Sequence, residues 1–128
     1  MKPITAEWVG KAEGDWNSAQ REIRARKKPN HDAACFHAQQ CVEKYLKAWL
    51  QERGIAFGKI HDLTKLLSLA LPAQPAWVAL RADLMMLTDF AVEYRYPGNS
   101  ATRTEAQDAV KRCRKVRSVI RSAFGLTV

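Results

Sequence analysis

His31-Asp32-Ala33-Ala34-Cys35-Phe36-His37-Ala38-Gln39-Gln40-Cys41-Val42-Glu43-Lys44-Tyr45-Leu46-Lys47-Ala48-Trp49-Leu50-Gln51-Glu52-Arg53-Gly54 is the stretch on which the fold turns. At 100° per residue, Ala34, Ala38, Cys41, Val42, Tyr45 and Trp49 gather on one side, which predicts a long amphipathic helix from about His31 to Arg53. Gly54 stands where a helix-terminating glycine belongs. Phe36, Gln40, Glu43 and Lys47 line up on another face, with His37 and Lys44 beside them and Leu50 beyond. Phe36 and Leu50 are apolar residues on a polar face. They are either isolated surface side chains or cover for a second copy of the chain.

The flanking segments also have the helical period. Before it, Trp8, Ala12, Trp16, Ala19 and Ile23 form a stripe, with Thr5 as candidate N-cap and a helix end near Arg26. Lys27-Lys28-Pro29-Asn30 breaks the two helices apart. After it, a short helix is predicted from about Asp62 to Ala70. A fourth starts at Pro75, with Trp77, Leu80, Leu84, Leu87, Ala91 and Tyr94 on its stripe and Pro97-Gly98 as its stop. Thr102 to Glu105 is a T-x-x-E capping box that opens a last helix reaching about Phe124. No segment alternates long enough for a strand. The prediction is an all-α, up-and-down bundle of four main helices plus one short helix, in a single domain over residues 1–128.

Composition narrows the function. The chain has 128 residues, 47% of them hydrophobic and 27% charged, with 21 Lys and Arg against 13 acids and a net charge of +8. That excess suits an anionic partner such as nucleotide or RNA, and equally a basic surface kept for solubility. No apolar stretch approaches a membrane span, no secretion signal is visible, and three Cys are an odd number. A cytoplasmic protein with free thiols is therefore expected. His37 with Cys41, and His31 with Cys35, have metal-compatible i,i+4 spacing, but Cys41 lies on the core stripe, so no metal is expected. No phosphate-binding glycine loop or nucleophile elbow is present, and no cofactor is expected.

Two further features have chemical content. On the last helix, Ala109, Cys113, Val116, Ile120, Ala123 and Phe124 form the core stripe, and Lys111, Arg114, Lys115 and Arg121 fall opposite. Arg112 and Arg117 flank the core. Six basic residues within Lys111 to Arg121, with no acid among them, repel one another and hint at an external anion. Tyr94-Arg95-Tyr96 at a helix end offers a guanidinium fork between two stacking rings, or a helix stop with two half-buried rings.

Phe36-His37-Ala38-Gln39-Gln40-Cys41-Val42-Glu43-Lys44-Tyr45-Leu46-Lys47-Ala48 resembles the signature helix of the HEPN domain family. His61-Asp62-Leu63 with Leu66-Leu67 resembles the segment that follows it, and Arg95-Tyr96-Pro97 resembles the end of the next helix. Trp8, Ala12 and Asp15 fit the first-helix pattern, so the likeness runs through nearly the whole chain. It implies a small helical bundle, usually a homodimer, that binds nucleotide or RNA, often beside a minimal nucleotidyltransferase encoded next to it. It also implies that some members are metal-independent RNases acting as toxins, through an R-x4-6-H motif near a late helix.

Only His31, His37 and His61 are present, and no His follows Arg95. Arg24 and Arg26 precede His31 by the right counts, but the intervening Pro29 makes a shared helical face improbable. The sequence therefore points to a non-catalytic HEPN-like homodimer that binds nucleotide or RNA. Its ligand residues are Arg95, Tyr96, Lys44, Lys47, Gln40 and Glu43, and its basic face is Lys111, Arg114, Lys115 and Arg121. The alternative is an RNase toxin with an atypical site, for which His61 and Arg95 are the candidate catalytic pair.

Overall fold

The computed structural model describes residues 1–128 and contains helices and no strands. Helix α1 spans Pro3–Arg24, α2 His31–Glu52, α3 Leu63–Ala70, α4 Arg81–Glu93 and α5 Arg103–Ala123. A 3-10 helix, Pro75–Leu80, leads into α4, where the sequence pattern suggests one continuous helix. Each start has a local cause. Asn30 Oδ1 accepts the Ala33 N–H at α2, and Asp62 Oδ1 accepts Thr64 and Lys65 N–H at α3. Thr102 and Glu105 exchange both bonds of the capping box at α5. At the end of α2, Gly54 has φ +70°, a left-handed turn that glycine adopts without strain.

Thr5 is not the cap of α1. The helix begins two residues earlier, at Pro3, and the buried Thr5 hydroxyl donates to Glu52 Oε1 at 2.9 Å. This bond clips the start of α1 to the end of α2.

Helix α2 is the axis of the molecule. It packs against α1, α3, α4 and α5, and 13 of its 22 residues are buried. A helix surrounded on most sides has no wide polar face, and this corrects two sequence expectations. Leu50 is fully buried in the core rather than exposed beside Phe36, and Lys47 is buried too. Of the apolar pair Phe36 and Leu50, only Phe36 is exposed and available to a partner surface. On α5, Ala123 lies on the surface, while the half-buried Phe124 just past the helix packs against the core as the stripe predicts. Around α2 the core gathers Tyr45, Leu46, Leu63, Leu67, Leu84, Leu87, Val116 and Ile120, with Trp49 edge-on to Trp77 at 5.0 Å between centroids. The three thiols are buried and unbridged. Burial pushes the Cys35 thiol up to about 12, so it stays protonated at neutral pH.

Tyr94, just past α4, donates its hydroxyl to Glu105 on α5. That bond anchors the end of α4, and with it the position of Arg95.

Candidate functional site

A cleft of about 460 Å³ opens between α2, the segment before α3, and the C-terminal half of α4. α2 supplies Gln39, Gln40 and Glu43; the approach to α3 supplies His61 and Asp62; α4 and its exit supply Thr88, Val92 and Arg95. Gln39 and Glu43 share a face because they are four apart. His61 arrives because Asp62 must cap α3, which fixes the preceding residue against α2.

The floor of the cleft is one connected polar network. Gln40 donates to Gln39 at 2.8 Å, and Gln39 donates to Glu43 Oε1 at 3.1 Å. Glu43 Oε2 accepts from Lys47 Nζ at 3.1 Å and faces His61 Nδ1 at 3.1 Å. Lys47 is 5% exposed and lies over the rings of Trp8 and Phe57, at 5.7 and 5.8 Å from their centroids. It therefore works from beneath, as the counter-charge of a buried carboxylate, and is not a group that meets a ligand. A carboxylate accepts, so His61 donates to Glu43 through Nδ1, and no protein group meets its Nε2. The His61 ring is 76% exposed. Asp62 is held below the ordinary carboxylate range, chiefly by the Thr64 hydroxyl.

Arg95 is exposed and makes no ion pair with any carboxylate. Of the residues singled out in the sequence, Arg95, Gln40, Glu43 and His61 thus meet around one cleft. Tyr96 is 68% exposed and does not line it. Lys44 points the other way, toward α1, where Asp15 accepts from Lys44 Nζ at 2.5 Å and faces His37 Nδ1 at 2.8 Å. Sequence reasoning missed Gln39, Asp62 and Thr88. The i,i+4 step from Gln39 to Glu43 was the available signal for Gln39, and Thr88 had none.

The basic face of α5 is largely answered from within. Arg117 forms a two-pronged contact with Glu13 on α1, both bonds 2.7 Å. Arg121 turns inward to the Tyr45 hydroxyl at 2.9 Å, and that hydroxyl donates to Glu13 at 2.6 Å. Arg112 meets Asp108 and Asp83, and Lys115 meets Asp83 at 2.9 Å. The compensating acids absent from the Lys111–Arg121 run thus come from α1, α4 and the preceding turn of α5. Arg121 is no part of an exposed face. Lys111 and Arg114 remain without an acid, with Arg114 over the Trp16 ring at 5.5 Å.

No curated protein matches the chain. Among solved structures, the crystal structure of TT1696 from Thermus thermophilus superposes with a TM-score of 0.74 at 23% identity, covering 94% of this chain and 98% of that one. The structure of ST0689, an archaeal HEPN homologue, does so with a TM-score of 0.69 at 24% identity, covering 96% and 98%. At these identities the likeness is one of fold. The HEPN domain model matches residues 5–123, a span that takes in all five helices and both walls of the cleft, and the chain belongs to the HEPN domain family.

Proposed function

We propose that this HEPN protein binds nucleotide or RNA in the cleft between α2 and α4, as a non-catalytic homodimer that works beside a nucleotidyltransferase. The observation that supports the reading is Arg95: a cation without a carboxylate partner at the rim of a cleft whose wall holds the amides of Gln39 and Gln40, the Thr88 hydroxyl, His61 and the carboxylates of Glu43 and Asp62. Guanidinium suits phosphate oxygens, and Gln40 and Thr88 offer the donors and acceptors that a base edge or ribose requires. Homodimerisation is supported by Met85 and Val92, seven residues apart on α4 and 52% and 59% exposed, together with Phe36.

Cleavage of RNA by proton transfer needs one group to take the 2′-hydroxyl proton and another to supply one to the leaving oxygen. The cleft holds a single imidazole. This argues for binding without cleavage. The second reading, an RNase of atypical site, is favoured by His61 and Arg95 sharing one cleft. Fluorescence anisotropy with a labelled single-stranded RNA, competed by mononucleotides, tests the first reading. Arg95→Ala is expected to weaken binding about tenfold or more while the helical signal and the RNA stay intact. Metal-free degradation of the RNA, abolished by His61→Ala, would establish the second reading instead.

A further inference from the structure

Of the 21 Lys and Arg side chains only six, Lys44, Lys47, Arg112, Lys115, Arg117 and Arg121, stand in ion pairs, and at one end of the bundle several of the others surround a single hollow. A cavity of about 620 Å³ lies where the α1–α2 connection meets the start of α5. Its wall includes Arg24, Arg26, His31 and Arg103, with Ile23 and Pro29 as apolar backing, and no carboxylate. None of those four basic or imidazole groups takes part in an ion pair. The acids nearest in sequence are committed to the backbone. Glu22 accepts the Asn30 N–H at 3.1 Å, and Asp32 accepts the Ala101 N–H at 2.6 Å. Each of those bonds fixes a wall, the first tying α1 to the connection and the second tying the start of α2 to the lead-in of α5.

We propose that this basic cavity is a phosphate-binding site, separate from the α2–α4 cleft and independent of the function assigned to it. Three guanidinium groups held around one hollow repel each other and raise the local potential, which an anion relieves. Their planar forks fit phosphate oxygens. The α2 and α5 helices begin at His31 and Arg103, so the first residues of two long helices line the hollow. The volume falls within the roughly 300–1,000 Å³ of ordinary ligand pockets, larger than one phosphate needs. The chemistry is therefore that of consecutive phosphates, supplied either by a free oligophosphate or by an RNA backbone.

Calorimetric titration with tripolyphosphate and anisotropy with a labelled single-stranded RNA separate the two sources. Arg24, Arg26 and Arg103 are exposed, so the Arg24→Ala/Arg103→Ala double variant retains its core, which circular dichroism checks. Tripolyphosphate binding that falls at least tenfold in the double variant, and is unchanged in Lys111→Ala, identifies a free oligophosphate as the ligand. RNA binding that falls in the double variant with a shallower salt dependence, while tripolyphosphate does not bind, identifies the backbone. Binding of neither probe overturns the site, as does equal binding by the double variant or an equal loss in Lys111→Ala. Failure of Arg95→Ala to affect RNA would count against the cleft and leave this cavity standing.

Discussion

Two carboxylates flank α2 and end in opposite roles. Glu13, on α1, is 29% exposed by side chain, and its partners Arg117, Arg121 and Tyr45 all turn inward to join α1, α2 and α5. Glu43, on α2 itself, is 6% exposed, and its network leads outward through His61 to a cleft. The more exposed acid is structural and the more buried one belongs to the candidate site. Exposure alone therefore does not locate function. What differs is whether the chain of hydrogen bonds closes on itself or ends at a group with spare capacity, as His61 has at Nε2.

The largest effects on stability should come from breaking the ion pairs of the two networks. Glu13→Gln leaves Arg117, a side chain only 12% exposed, without its counter-charge. It should cost about 2–3 kcal/mol in urea unfolding, somewhat less than the 3–5 typical of a fully buried pair, and leave ligand binding in the cleft unaffected. Glu43→Gln should cost at least as much, because it leaves Lys47, a side chain only 6% exposed, without its counter-charge. Unlike Glu13→Gln, it should also weaken ligand binding by releasing His61. If Glu13→Gln weakened binding as much as Glu43→Gln, the contrast would collapse.

Acid acts on the closed network. Burial raises the Glu13 carboxyl, but the hydrogen bonds from Arg117 and Tyr45 outweigh it and hold Glu13 below its ordinary value. Its contribution is therefore complete above the unfolded carboxylate value, about 4.3, and is lost as pH falls through the lower folded value. Stability measured from pH 6 down to pH 3 should drop less steeply for Glu13→Gln than for the parent. The smallest effect should be that of Lys111→Ala on α5, an exposed residue without an acid partner. A change within about 0.5 kcal/mol is expected in the same unfolding measurement.

The helices were legible because their ends are written in local chemistry: the Thr102–Glu105 box, the Pro29-Asn30 break, and Pro75 and Gly54 as boundaries. Their faces were less legible. A helical wheel assumes one buried side and one wet side, and α2 is enclosed on most sides, so a wheel places Leu50 and Lys47 in solvent. The α5 charge run misleads for a related reason: its acids lie on other helices and far along the chain, as with Glu13 and Arg117. The site was half visible. Gln40, Glu43, His61 and Arg95 each stand out in the sequence, yet their meeting depends on how the approach to α3 and the exit of α4 cross α2. Lys44 lies on α2 one residue after Glu43, and that single step turns it to Asp15 on the other side.

Whether the open network, and not the closed one, receives the ligand is tested most directly by amide chemical-shift mapping during titration with a mononucleotide. Shifts are expected at Gln39, Gln40, His61, Thr88 and Arg95, with Glu13, Tyr45, Arg117 and Arg121 silent. Shifts centred on the Glu13 network, with the cleft residues unmoved, would contradict the assignment.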